Sequence, residues 1–507
     1  MRNEFFEPLH LSAGLHVSAA RTPEKIALRV GARALTYREL GTRTAQVASQ
    51  AVDNLQIRHG DRVAVAAPNC LEYAELVCGL SDAGAVVATL NPRANAAEIA
   101  AACDDCGAKA VFFHSTLAAA VVAAKFAKTT RRIEIGPQYE TWLAQATGNA
   151  VLPRIDETDP FTLVYSSGTT GRPKGILLSH RSRVLTFHAM AMEYGCFGPQ
   201  ERFLGIAPLA HGAGFAFAMA ALYFGGYIEI VERFDAASTL SKLATEKFTG
   251  VFLVPTHLQS IFSLDSELLA RYRGAPPGLR AMISNAAALP QPLKEKITAY
   301  FGGGLLHETY GSTEAGIVTN IRPDDQLRKP HSVGLPFATT EIRLLDDAGA
   351  EVATGEAGEL YSRSPYLFNG YMNQPEETAA CSRDGWVSAG DVARRDADGF
   401  IYIVDRKKDM VISGGINIYP REIEEVLNRH RDVIESAVVG VPDDHWGERL
   451  RAFVVPRAGS LQQPEPLLEH CRTLLSSYKV PKEIRFIETI PRNLGGKVLK
   501  KELRNVV

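Results

Sequence analysis

The stretch YSSGTTGRPKG, Tyr165 to Gly175, decides how this chain is read. Ser166, Ser167, Thr169 and Thr170 alternate with Gly168, Gly171 and Gly175, and Arg172 and Lys174 add positive charge. Hydroxyls donate to phosphate oxygens, glycines let backbone amides approach a ligand closely, and the cations offset its negative charge. The stretch has the chemistry of a polyphosphate grip. It is not a Walker A loop, which needs Gly-Lys followed by Ser or Thr, because Lys174 lies between Pro173 and Gly175.

Just upstream, FTLVYSS reads as a strand that delivers this loop at its end, where ligands of open α/β sheets bind. Before it the chain alternates between helical and strand patterns. LTYRELGTRTAQVASQAV predicts a helix opening at Thr36, and DRVAVAAP a short buried strand. Asn69 to Gly84 is predicted helical, AVVATLNP a strand, and Ala96 to Asp104 helical again. Such alternation predicts an α/β protein with helices covering a largely parallel sheet.

From about Val333 the texture changes to short strands and turns, as in TEIRLLDDAGAEV and GFIYIVDR, which predicts a β-rich subdomain. After Arg406 come the glycine loop ISGGINIYP and a helix beginning near Pro420, with Glu422, Glu424 and Glu425 in its opening turns. SAVVGV, RAFVVP and Pro466 to Ser476 complete a small α+β module. The expected organisation is a large domain over 1–407, built of α/β subdomains plus the β-rich subdomain, and a small α+β domain over 408–507.

At 507 residues the chain exceeds what one core usually serves, in keeping with two or more domains. It is 46% hydrophobic and 22% charged with a net charge of -2, which argues against nucleic acid as a partner. The seven cysteines are scattered, and Cys103-x-x-Cys106 has no second pair with which to build a zinc site. With no export signal in MRNEFFEPLH, the expectation is reduced thiols in the cytoplasm. Phe203 to Ile228 carries no Asp, Glu, Lys or Arg, yet it holds Pro208, His211 and five glycines. It reads as a buried, pocket-lining region and not as an integral membrane segment.

YSSGTTGRPKG resembles the signature of the adenylate-forming superfamily, whose members include acyl-CoA and aryl-CoA ligases, peptide-synthetase adenylation domains and beetle luciferases. YGSTEAG, Tyr310 to Gly316, resembles the superfamily's next core element. There the resemblance implies that the Tyr310 ring lies against adenine beside Gly311, that Thr313 meets phosphate, and that Glu314 holds magnesium. A carboxylate is a suitable hard ligand for that ion. SAGDVAR, Ser388 to Arg394, is similar to the ribose-binding element, with Asp391 accepting from the ribose hydroxyls and Arg406 as a second contact. Ala389 stands where relatives often carry threonine.

Lys408 falls where the family places its hinge, which implies that the small domain over 408–507 is mobile. In PRNLGGKVLKKELR, Lys497 matches the lysine that reaches the reacting carboxylate and α-phosphate, although Asn493 and Gly495 replace a frequent threonine and serine. The same resemblance assigns Gly414 and Gly415 to the coenzyme A side. The implied reaction uses ATP, Mg²⁺ and coenzyme A: a carboxylate attacks the α-phosphorus, pyrophosphate leaves, and a thiol then takes the acyl group from AMP. Lys497, Thr169 and Glu314 are the expected catalytic residues, and the loop residues with Lys174 grip the phosphates.

The resemblance places the acyl pocket along the His211 element with Ala213, along SNAAALP with Asn285, Ala286 and Ala287, and along the YGSTEAG loop. His211 reads equally as a gate or as a packed core histidine. Asn285 stands where many relatives have glycine, and either narrows the pocket or hydrogen-bonds a substrate. With no Lys or Arg from Phe203 to Ile228, an apolar or aromatic monocarboxylic acid is expected rather than a dicarboxylate. The expected partner is thus a small-molecule acid, the assembly a monomer or homodimer. Rival readings are an enzyme that loads a carrier-protein thiol, a luciferase-like oxygenase, and a nucleotide-binding relative without catalysis.

Overall fold

The computed structural model describes residues 7–128, 130–166, 174–413, 416–443, 445–460, 462–492 and 498–506. Local signals set the first elements. Thr36 caps the helix Tyr37–Asp53 by accepting from the Glu39 amide while Glu39 reaches back to the Thr36 N–H. Asn95 and Glu98 form the same reciprocal box at Ala96–Cys106, which ends at the left-handed Gly107. Each cap satisfies amides that the first turn leaves without partners, which is worth about 1 kcal/mol.

The chain divides into two compact units. The first comprises Met1–Pro330, Pro336–Glu341 and Arg363–Val387; the second comprises His331–Leu335, Ile342–Ser362 and Ser388–Val507. Compactness thus divides the last part of the chain at Val387, whereas sequence texture places a boundary at 407/408. The strands Trp386–Arg395 and Ile401–Arg406 form one antiparallel ladder that leads directly to Lys408.

In the first unit, a seven-stranded sheet has the order Gly370–Tyr371, Lys174–Ser179, Pro160–Ser166, Val86–Leu90, Arg62–Ala66, Ala110–His114, Arg131–Ile135. From Pro160–Ser166 onward the neighbours are parallel, as the alternating pattern predicts. The strands on the other side pair antiparallel. Val86–Leu90 is buried at every position, as expected of a strand covered on both faces.

Another sheet of this unit carries, in order, Gly316–Ile321, Leu306–Ser312, Ala281–Ser284, Gly250–Leu253, Arg202–Gly205, Tyr227–Ile230, Ile26–Val30 and Arg33–Thr36. It places the SNAAALP and YGSTEAG segments at the ends of adjacent strands. The charge-free tract from Phe203 contributes the strand Arg202–Gly205, the helix Gly212–Tyr223 and the strand Tyr227–Ile230. Its helix is buried, with Phe217 stacked on Phe252 at 4.4 Å. No helix among the described residues is long and apolar enough to cross a membrane.

The second unit ends in a small sheet ordered Ile416–Ile418, Val411–Ser413, Gly447–Pro456, Val433–Asp443, with Glu483–Phe486 parallel to Gly447–Pro456. The helix Pro420–Leu427 begins on proline, as predicted, and packs Ile423 and Leu427 into the core with Val438 and Leu450.

Candidate active site

Tyr165 anchors the strand before the Ser/Thr/Gly loop. Its hydroxyl donates to Asp105 at 2.7 Å and lies 3.1 Å from the Ala102 carbonyl. The strand Pro160–Ser166 pairs with Lys174–Ser179, Ser166 opposite Lys174. Ser167, Gly168, Thr169, Thr170 and Gly171 lie outside the described residues. Lys174 does not stand alone where this hairpin closes. Its ammonium is ion-paired to Glu377 and lies 4.9 Å from the centre of the Tyr371 ring.

Tyr371 also bonds Glu314. Its hydroxyl donates to Glu314 Oε1 at 2.8 Å, and the Glu314 carbonyl accepts from the Phe368 amide at 2.9 Å. Burial, reinforced by the Glu314 carboxylate, holds the Tyr371 hydroxyl protonated far above neutrality. Lys174 and Glu314, 140 positions apart in sequence, are thus joined through one short segment. Gly370 and Tyr371 pair with Leu177 and Ile176, which fixes that segment beside the hairpin of Pro160–Ser166 and Lys174–Ser179.

Glu314 and Thr313 occupy the turn of the hairpin Leu306–Ser312 and Gly316–Ile321. Glycine is required on both sides of it. A Cβ at Gly311 would lie 2.0 Å from the Gly316 carbonyl oxygen, and Gly316 itself has φ +70° with the Tyr366 Cβ 2.7 Å from where its own would be. Tyr310 lies half-buried on the same hairpin.

His211 precedes the first turn of the helix Gly212–Tyr223, and no described residue hydrogen-bonds its ring. Burial lowers its pKa below the ordinary 6.5, so the ring is neutral at pH 7. Ala213 sits in the same first turn. A Cβ built on Gly212 would stand 3.6 Å from Thr313 Oγ1 and 4.0 Å from Nη2 of Arg183. The His211 element, the YGSTEAG turn and the helix His180–Tyr194 therefore meet at one place.

SNAAALP continues the strand Ala281–Ser284 and is held by polar contacts to the next strand. Asn285 Nδ2 donates to Thr309 Oγ1 at 2.6 Å, its Oδ1 accepts from the Ala286 amide, and the Leu289 amide donates to Glu308 at 3.1 Å. Asn285 thus spends donor and acceptor inside the protein, bracing the segment. Ala286 has φ +78°, a conformation unfavourable for a residue with a Cβ, while Ala287 is half-exposed.

In the second unit Asp391 and Arg406 face each other across the antiparallel ladder, with Nε to Oδ1 at 3.2 Å. Asp391 is only 5% exposed. Lys408 lies in the single turn Lys407–Asp409 between strands, and burial lowers its pKa. Lys407 beside it is pinned by Asp347 at 2.9 Å and Glu359 at 3.0 Å. Gly414, Gly415 and Lys497 lie outside the described residues, bracketed by the Ser413–Ile416 pairing and the Arg492–Val498 bridge.

Three residues of this site carry no sequence signal: Tyr371, Glu377 and Arg183. Tyr371, in a two-residue strand, and Glu377, in the short helix Pro375–Cys381, lie 57 and 203 positions from their partners, and Arg183 is one arginine of a charged run.

The fold and the order of its site elements define an AMP-forming acid–thiol ligase that uses ATP and a small-molecule acid. The chain belongs to the AMP-binding enzyme family: residues 15–372 match the AMP-binding enzyme model and residues 422–497 its C-terminal domain. It is 38% identical over 491 residues to a feruloyl-CoA synthase from an Amycolatopsis species, covering 96% of each chain. It is 33% identical to a long-chain-fatty-acid–CoA ligase from Yersinia pestis, covering 93% of this chain and 90% of the relative. Among solved structures, o-succinylbenzoate CoA synthetase from Bacillus subtilis, in complex with its acyl-adenylate intermediate, superposes with a TM-score of 0.86 at 26% identity over 99% of both chains. The resemblance read from the sequence is borne out, as are the α/β class and the ligase class.

Proposed function

We propose that this ligase activates an apolar monocarboxylic acid, aliphatic or aromatic, and transfers the acyl group to coenzyme A. The observation that carries the acid's character is the helix Gly212–Tyr223, whose buried residues are all apolar or glycine and which follows the neutral His211. An acyl chain or ring along such a wall loses water without stranding a charge.

A carboxylate oxygen attacks the α-phosphorus, the bond to the β-phosphate breaks, and pyrophosphate leaves with its electron pair. Charge gathers around phosphorus in that step, so catalysis needs placed donors and cations rather than a protein nucleophile. Lys174 and the hydroxyls of Ser166, Ser167, Thr169 and Thr170 hold the phosphates with the backbone of Gly168 and Gly171, and Thr313 adds a donor. Lys497 reaches the reacting carboxylate. Tyr310 and Gly311 flank adenine, while Asp391 and Arg406 take the ribose hydroxyls.

Glu314 suits magnesium because it offers a hard carboxylate, one oxygen oriented by Tyr371 and Oε2 without a described partner. When bound, the ion neutralises phosphate charge. In the second step the coenzyme A sulfur attacks the acyl carbon and AMP leaves with the electrons of its bond to that carbon. Gly414 and Gly415 let the thin pantetheine arm pass close to backbone. Lys408 is the pivot by which residues 408–507 exchange Lys497 for that glycine loop; no ion pair among the described residues holds it.

Mass spectrometry of products from an ATP-dependent coenzyme A screen across aliphatic, cyclic and aromatic acids tests this. A thioester with apolar monocarboxylates is the expected product. Pyrophosphate exchange with an acid that yields no thioester would favour a carrier-protein thiol as acceptor.

A further inference from the structure

The helix His180–Tyr194 begins immediately after the strand Lys174–Ser179, with Ser179 accepting from the Ser182 amide as its cap. Arg183, in its first turns, is half-buried. Its Nε is enclosed and finds no acceptor, and no carboxylate among the described residues pairs with it. Burial, uncompensated by any neighbouring acid, pushes its pKa down to about 10. A guanidinium partly withdrawn from water with no acid beside it is costly, because its enclosed Nε donor and part of its charge lose hydration with nothing in exchange.

The end of that side chain lies where the acyl and phosphate halves of the site join. Nη2 of Arg183 and Oγ1 of Thr313 both flank Gly212, at 4.0 Å and 3.6 Å from the position its Cβ would take. No described residue bonds the Thr313 hydroxyl, and the first-turn amides of the twelve-residue helix Gly212–Tyr223 open at the same point. Donors of three origins therefore converge with no acceptor among the described residues. Gly212 keeps the space between them clear.

We propose that Arg183, with Thr313 and the first turn of Gly212–Tyr223, binds an anionic oxygen group of the reactants at the head of the acyl pocket. The group is a carboxylate of the acid or a phosphate of the nucleotide; both present planar or tetrahedral oxygens that a guanidinium matches. This inference rests on the ligase reading above and adds to it a cation that lies outside the Phe203–Ile228 tract. The arginine is left unpaired by the protein so that substrate completes it.

The experiment compares full-length wild type, Arg183→Gln and Arg183→Lys by three readouts: the melting temperature without ligand, equilibrium binding of ATP and of inorganic pyrophosphate, and the KM for acid in pyrophosphate exchange. Removing an unpaired, half-buried cation should leave the ligand-free melting temperature unchanged or raise it, which no structural ion pair would do. Arg183→Gln should weaken one ligand by at least about tenfold, the scale of a charge-assisted bond, with partial recovery in Arg183→Lys.

Weakened ATP and pyrophosphate binding assigns the site to phosphate. A raised acid KM with normal ATP binding assigns it to the carboxylate. Constants within twofold of wild type for ATP, pyrophosphate and acid overturn the proposal, as does a lower melting temperature with unchanged binding. ATP and pyrophosphate binding need neither acid nor coenzyme A. Should wild type turn over no acid, the apolar-acid reading fails; weakened ATP and pyrophosphate binding in Arg183→Gln then still supports the proposal, and unchanged binding of both overturns it.

Discussion

The Tyr371 hydroxyl donates to Glu314 Oε1 at 2.8 Å, and the same ring lies 4.9 Å from the Lys174 ammonium. One aromatic side chain thereby orients both the proposed magnesium ligand and the proposed phosphate cation. Groups that orient a ligating carboxylate commonly change metal affinity by 10–100-fold when removed.

Tyr371→Phe should therefore raise the Mg²⁺ concentration for half-maximal adenylation by about tenfold. Measuring pyrophosphate exchange against Mg²⁺ at saturating ATP checks it. An unchanged Mg²⁺ dependence would separate Tyr371 from the metal.

Lys497→Ala should slow acyl-adenylate formation by about two to three orders of magnitude, the scale of one strong electrostatic donor. Thioester formation from preformed acyl-adenylate should be spared. Single-turnover kinetics of each half-reaction distinguish the two, and equal loss in both would contradict the proposed division of labour.

Lys408→Pro restricts the turn Lys407–Asp409 between two strands. It should slow the thioester step more than adenylation. Equal slowing of both steps, again by single-turnover measurement, argues against a pivot at this position.

Acid should destabilise the protein through His307, which is 7% exposed and whose pKa burial lowers from 6.5 to about 4. Glu193 acts in the opposite sense and Arg322 in the same one. Above pH 6.5 both folded and unfolded forms are neutral at this ring. Below it the unfolded chain takes up the proton first, so stability falls as pH drops towards 4. His307→Gln should reduce the stability lost between pH 7.5 and 5 by about 2 kcal/mol, read by denaturant titration at both values.

Much of the fold was legible because its signals are local. Thr36 with Glu39 and Asn95 with Glu98 announce helix starts by spacing alone, and Pro420 opens its helix as proline does. The charge-free tract from Phe203 was legible as buried. Its division into strand, helix and strand was not, since apolar periodicity disappears when every face is covered. Asn285 was legible only as an unusual residue. Its bond to Thr309 depends on two strands lying side by side.

The sequence by itself determined the chemistry: which hydroxyls, glycines, carboxylates and lysines exist, and in what order along the chain. That order carried the family, because residue identity and spacing are written directly in one dimension. Tertiary structure alone decided which charges are spoken for. Lys174 meets Glu377 and Glu314 meets Tyr371, while Arg183, one arginine in SHRSR, lies half-buried beside Gly212 with its Nε enclosed and no described carboxylate paired to it. Ion pairing and desolvation depend on distance in space and on removal from water, and neither is fixed until remote segments pack together.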